Sequence, residues 1–339
     1  MFEDIVNVTE DDIAFITTVR TAHFWYEIIL AVVSIGLNGW VVYLAFTTKN
    51  STMKSFCWVL LMSVSGDIVY ALFNLASMVV IEVKRGKMFV MINGPFRHSL
   101  YPIPHLLMSL YMMGMFAIIM TIMVQFIYRY YALCKRPMTM TEFVGLYAVG
   151  WIWALIEGFS GFVIFDVATD ENTAIIEKHP LYAYDTPVYI TGDVSVNTCI
   201  LIQAFFSELA IVSMYVVIII TGRRIHAKLN SNSLNMSKST KEAQNKLNRV
   251  MALQAIYPGV IIGIPICMAS VAVQFKMDMP WAGYYIVTSI SSMPVINAIT
   301  VLVGIPSFRR RIFFHVRRRE VTVYSSSANV VSHSEMTIH

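Results

Sequence analysis

Residues 103–128 read IPHLLMSLYMMGMFAIIMTIMVQFIY, a run with no Asp, Glu, Lys or Arg and a single histidine, His105. Crossing the hydrocarbon core of a bilayer takes about 20 mostly apolar residues, and a helix apolar on every side has no place on a soluble surface. Six further runs of this kind flank it, at 24–46, 56–83, 143–165, 198–221, 250–275 and 281–303. Together they predict an all-α membrane protein, a seven-transmembrane helix bundle. Composition agrees: 57% of the 339 residues are hydrophobic and 14% charged, where a soluble domain carries about 25% charged residues. Mean hydropathy is +0.62. The chain divides into an N-terminal segment 1–23, a membrane domain 24–305 and a tail 306–339. Residues 1–23 lack a basic stretch leading into a short apolar core, so the first span is expected to act as its own uncleaved insertion signal.

Charge sets the orientation. With the N-terminus outside, 18 of the 25 Lys and Arg residues fall on the cytoplasmic side, as the positive-inside rule requires. The acidic residues lean the other way, five of them in the first 12 positions and six from Asp166 to Asp193. One connection runs against the rule: Lys84, Arg85, Lys87 and Arg97 lie on the predicted outside. Pairing with the acidic 166–193 segment accounts for them, and so does steering of an anionic ligand. Asn7-Val8-Thr9 is a glycosylation sequon on the same side.

No catalytic constellation is present: no phosphate-binding Gly-rich loop, no HExxH and no CxxC. His98 and His105 lack a metal-ligand spacing, and no metal or cofactor is implied. Of the four cysteines, Cys57 and Cys267 fall in spans, Cys199 near the outer end of span five and Cys134 just inside the membrane, so an outer disulfide is not expected. Asp67, Glu157 and Glu208 are read as intramembrane carboxylates. Such groups cost several kcal/mol unless paired, hydrated or protonated, and so mark candidate functional positions. Asp67 faces the level of Asn38 and Asn297. Met108, Met112 and Met115 recur at i, i+4, i+7 on span three and share a face. Flexible thioethers suit apolar ligands of varied shape and serve equally as packing. Beyond span seven, Phe308, Ile312 and Val316 recur every four residues among arginines, the pattern of a short amphipathic helix lying on the inner leaflet. The Ser-rich end from Ser325 is a candidate for phosphorylation.

Ile127-Tyr128-Arg129-Tyr130-Tyr131 at the inner end of span three resembles the Asp-Arg-Tyr box of rhodopsin-like G-protein-coupled receptors. Asn38, Asp67 and Asn297 resemble their polar residues in spans one, two and seven, with Ala298 in place of the usual proline and Pro294 one turn earlier. A closer resemblance is to nematode serpentine chemoreceptors of the Str superfamily, most like the Srd (delta) class. It is carried by Gly94-Pro95-Phe96-Arg97, Phe126-Ile127-Tyr128-Arg129, Leu253-Gln254-Ala255-Ile256-Tyr257-Pro258 and Pro306-Ser307-Phe308-Arg309. Phe96 stands where relatives often have cysteine. Tyr128 replaces the acidic residue of the box, so the ionic-lock logic does not carry over.

The resemblance implies a plasma-membrane receptor of a sensory cilium, for a small-molecule odorant or other chemical ligand, signalling through a heterotrimeric G protein. Whether it works alone or as a homo- or hetero-dimer stays open. The expected ligand-facing set is Met108, Tyr111, Met112, Met115, Glu157, Glu208, Met268 and Tyr285. The expected switch and G-protein-coupling set is Asn38, Asp67, Tyr128, Arg129, Tyr130, Pro258 and Asn297, with Pro258 and Pro265 letting span six bend. The rival from another class is a seven-span ligand-gated cation channel or transporter, whose inverted orientation the charge count opposes.

Overall fold

A computed structural model describes residues 10–48, 51–178, 182, 185–231, 238–278, 282–305 and 307–311. Asn7, Trp281, Ile312 and Val316 lie outside these residues. The chain opens with α1 (Glu10–Phe46) and α2 (Ser51–Ser77), followed by a hairpin of β1 (Val79–Lys84) and β2 (Lys87–Ile92). Helices α3 (Ile103–Cys134) and α4 (Met140–Phe159) come next, with a short α5 (Gly161–Ile164), strand β3 (Asp166–Val167), α6 (Asp170–Ile176) and β4 (Tyr189–Asp193). The fifth rod is α7 (Cys199–Asn230). The sixth joins α8 (Lys238–Pro258) through a π-helical turn, Gly259–Gly263, to α9 (Ile264–Gln274). The seventh is α10 (Ala282–Ser291) and α11 (Met293–Gly304). Among the described residues, six helices are long and apolar enough to cross a membrane; the rod broken by the π turn makes the seventh of the bundle.

Helix α3 stands at the centre, packed against α2, α4, α7 and α8. Its residues from Tyr111 to Ile122 are buried in an unbroken run, which is why no polar face is visible in 103–128. Two interruptions have local causes. Proline has no N–H to give and crowds the preceding turn; the π turn follows directly on Pro258, and the seventh rod breaks at Ser292, just before Pro294 in the first turn of α11.

The structure departs from the sequence expectation at one end of the bundle. Helix α1 spans Glu10–Phe46, so residues 10–23 are helical and continuous with the first rod. The run 56–83, read as one span, ends its helix at Ser77, and Val79–Lys84 is a strand. A short apolar run rich in β-branched residues cannot be assigned to helix or strand by periodicity. The turn decides it: Arg85 and Gly86 both take positive φ, 53° and 77°, as the two central residues of a tight type I′ hairpin must. The resulting four-stranded antiparallel sheet, order β1-β2-β4-β3, is an addition to the all-α expectation. Its side chains alternate as a pleat demands. Val79, Val90, Ile92 and Ile190 join the bundle core, while Val80, Phe89, Met91 and Tyr189 pack under Ile176 and Tyr182. The sheet is therefore a two-sided cap over the helix ends.

Two of the basic residues of this cap, Lys87 and Arg97, are paired. Lys87 lies 3.1 Å from Asp193 and 3.6 Å from Glu171, and Arg97 pairs with Asp185, which also meets Arg20 of α1 at 3.1 Å. At the other end, residues 307–311 form a helical turn in which Phe308 is fully buried in the core instead of lying on a leaflet. Arg311 donates to the Thr47 hydroxyl (2.8 Å) and carbonyl (3.1 Å), tying this turn to the end of α1.

Gly283 sets how closely α10 approaches the cap, because a Cβ there would overlap the Ile81 carbonyl of β1. Gly283→Ala is expected to cost about 2 kcal/mol by overpacking, read as a lowered midpoint of thermal unfolding in nanodiscs. Gly36→Ala, which has open space around its Cβ, should leave that midpoint unchanged or raise it slightly.

Candidate functional site

Beneath the cap lies a cavity of about 180 Å³. Helix α3 supplies Met108, Tyr111, Met112, Met115 and Phe116, and α7 supplies Gln203, Ala204, Ser207, Glu208 and Ile211. The cap closes it with Ile81, Met88, Phe165, Gly192 and Val194. Helix α9 turns Pro265, Ala269 and Val273 into it, an i, i+4, i+8 stripe that leaves Met268 54% exposed on its flank. Helix α10 turns in Ile286 and Ile290; Tyr285, about 100° round the helix, is 68% exposed. Met268 and Tyr285 thus do not line the cavity, contrary to the sequence expectation, because the faces of α9 and α10 are fixed by their packing on the cap.

Glu157 of α4 sits behind the wall, not in it. Its Oε2 accepts from Gln203 Nε2 (3.1 Å) and Ser207 Oγ (2.5 Å), so the pair of cavity residues is anchored on a buried carboxyl. Glu208 faces the cavity directly.

Midway along the bundle runs a line of buried polar contacts. Asn297 Nδ2 donates to Asp67 Oδ1 at 3.0 Å, joining α11 to α2. Asn38 Nδ2 donates to the Ser34 carbonyl (3.0 Å) and reaches the Pro294 carbonyl at 3.4 Å, joining α1 to the break in the seventh rod. Gln254 approaches the Asn297 carbonyl at 3.5 Å. Pro258 is buried one turn beyond, and Tyr215 of α7 donates to the Ala255 carbonyl (3.2 Å) beside the deformed turn.

At the end opposite the cap, Arg129 is 3% exposed. One of its nitrogens donates to the carbonyl (2.5 Å) and the side-chain oxygen (3.0 Å) of Gln244, and another reaches Met251 Sδ at 3.3 Å. Every one of these partners is on α8. With Tyr128 in the acidic position, this guanidinium meets neutral acceptors at its two terminal nitrogens, while its buried Nε makes no hydrogen bond among the described residues. Tyr128 turns away to pack edge-on against Phe143, 5.0 Å between centroids. Tyr130 accepts from Arg224 of α7 (3.2 Å) and lies under its guanidinium.

Sequence reasoning passes over Glu27, a fully buried carboxyl in α1. Its Oε2 accepts from Asn74 Nδ2 at 2.5 Å, its other oxygen lies 3.5 Å from His23 Nε2, and Asn74 also reaches Ser291. The i, i+4 spacing of His23 and Glu27 was the available signal, hidden by reading residue 23 as the end of a separate segment. His105 is a structural residue: its Nε2 meets the Phe165 carbonyl at 3.0 Å and its ring stacks on Phe162.

A seven-rod bundle with a cavity under one end and a buried arginine at the other defines a membrane protein of the rhodopsin-like receptor fold. The solved structure of squid rhodopsin matches with a TM-score of 0.58 at 15% identity, over 87% of this chain and 84% of that one. The chain belongs to the family described as serpentine type 7TM GPCR chemoreceptor Srd, whose model matches residues 23–313. Among curated relatives, serpentine receptor class delta-19 of Caenorhabditis elegans is 21% identical over 281 residues, covering 81% of this chain and 82% of that protein. It is a multi-pass membrane receptor of the nematode chemoreceptor type.

The cap has its own pH response. Glu82 of β1 is buried beneath Tyr182, whose hydroxyl donates to it at 3.1 Å. Burial pushes its carboxyl from the usual 4.5 up to about 7, outweighing that hydrogen bond and the nearby Lys84 charge. Folding therefore favours the protonated form, so the stability it confers is full below about pH 4.5 and is lost as pH rises through 7. Thermal unfolding between these limits should show a decline of up to about 3 kcal/mol, and Glu82→Gln should flatten it.

Proposed function

We propose that this receptor detects a small-molecule chemical cue in the cavity beneath the cap and signals through a heterotrimeric G protein at the Arg129 end. The carrying observation is that α3 and the sixth rod serve both places. Helix α3 gives the cavity Met108, Tyr111, Met112 and Met115 and gives the far end Arg129. The sixth rod gives the cavity Pro265, Ala269 and Val273 and holds Arg129 through Gln244 and Met251. Between them stand Pro258 and the π turn, a local weakness in the helix ladder.

A ligand shifts such an equilibrium only by its difference in affinity for the two arrangements. Filling the cavity alters the position of α9 against α3; the π turn converts that into a swing of α8 away from Arg129, opening the end where a G protein docks. Asn38, Asp67 and Asn297 act as the polar hinge, and Tyr130 holds α7 to α3. In this reading the N-terminus and the cap are outside the cell, the Arg129 end is cytoplasmic, and the protein acts as a receptor, not an enzyme.

Two measurements test this. In reporter cells challenged with a broad odorant panel, the intact chain should give a second-messenger response to at least one compound. Arg129→Ala should reduce it by roughly tenfold or more at similar surface expression; an undiminished response removes Arg129 from the switch. In microsomes, Asn7 should acquire a glycan that Asn7→Gln abolishes. An unglycosylated Asn7 together with a protease-accessible carboxyl tail on intact cells overturns the orientation.

A further inference from the structure

The polar corner of the cavity has a direction. Gln203 Nε2 is committed to Glu157 (3.1 Å) and to Ser207 Oγ (2.8 Å), and the Ser207 hydroxyl proton is committed to Glu157 (2.5 Å). With those donors engaged on the protein side, what α7 leaves for an occupant is acceptors: the Gln203 side-chain carbonyl, a remaining lone pair of Ser207, and the Glu208 carboxylate. Among the described residues, the lining contains no Lys, Arg or His. A second polar side chain stands on α3, where Tyr111 lines the same space and is 2% exposed, its ring 5.6 Å from that of Tyr70 and its hydroxyl engaged with the Tyr70 hydroxyl. The remaining wall is methionine and aliphatic carbon, with Phe116 and Phe165.

Resting on the receptor reading above, we propose that the cavity takes a compact, largely apolar amine, its ammonium paired with Glu208 and its remaining N–H donors directed at Gln203 and Ser207. Size follows from the volume. An apolar cavity of about 150 Å³ accommodates a benzene ring, so about 180 Å³ suits a ring or short branched chain bearing one polar group. Charge follows from the acceptors. A carboxylate at the edge of an apolar space gains most from a partner that brings the missing positive charge, and charge-assisted hydrogen bonds are about twice as strong as neutral ones. An alcohol or ketone of the same shape fills the same apolar volume but leaves Glu208 without a counter-charge. An anion meets only repulsion.

The test uses the full chain in nanodiscs with cyclohexylamine and benzylamine against cyclohexanol and benzyl alcohol, read as thermal stabilisation titrated to an apparent Kd. The amines should bind at least about tenfold tighter than the matching alcohols. Glu208→Gln should erase that preference while retaining the alcohol affinity, and Glu208→Asp should restore part of it. Alcohols binding as tightly as amines, an undiminished preference in Glu208→Gln, or no amine binding at millimolar concentration each overturns the ligand class. The two levels separate cleanly. Amine binding without a second-messenger response supports the ligand class and sinks the receptor reading. A neutral odorant that signals, with amines inert, does the reverse.

Discussion

Everything in this bundle is arranged around a helix with no outside. In the most apolar stretch of α3, 89% of residues are buried, against 22% for α7 and 33% for α1 and α4. A central helix of this kind cannot shift alone, since each of its faces is already in contact with a neighbour at close-packed density. Motion must come from the rods around it. The weak places in the helical ladder are found in just those rods, at Pro258 in the sixth and at Ser292 before Pro294 in the seventh.

The buried polar groups follow the same division. Asp67–Asn297, Asn38–Pro294 and Arg129–Gln244 each cross between rods, and each would be costly to leave unmet in an apolar interior. They therefore fix register between helices that van der Waals contact alone would leave free to slide. Arg129 illustrates the economy of the arrangement: neutral oxygens and a thioether hold its two terminal nitrogens, so it can exchange partners without leaving an unpaired carboxylate behind.

Much of this was legible in the sequence. The seven rods follow from apolar run length alone, and Asp67 and Asn297 could be put on one level by counting along their spans. The i, i+4, i+7 methionines of α3 do reach the cavity. What was hidden has physical causes. Val79–Lys84 is apolar enough to extend a span, and only the Arg85-Gly86 turn reveals the strand. Glu27 falls inside the 24–46 run, where a lone carboxyl among apolar residues gives no sign of its partner Asn74 in the next helix. Met268 and Tyr285 were misjudged because a helix's inward face depends on what it packs against, which one sequence does not contain. Phe308 reads as membrane-facing by periodicity, yet the turn it sits on folds back into the core.

The cap also determines how this end of the protein is fastened. Strand pairing between β2 and β4, with Lys87–Asp193 and Arg97–Asp185 alongside, joins segments that a cystine would otherwise staple, and Cys57, Cys134 and Cys199 are all free thiols. Burial opposes ionisation of Asp193, yet hydrogen bonds from Ser195 and Lys87 hold its carboxyl below the usual range. A clasp made this way is indifferent to reductants and matures without an oxidising chaperone. Its vulnerability is to brine, which screens the ion pairs at its rim.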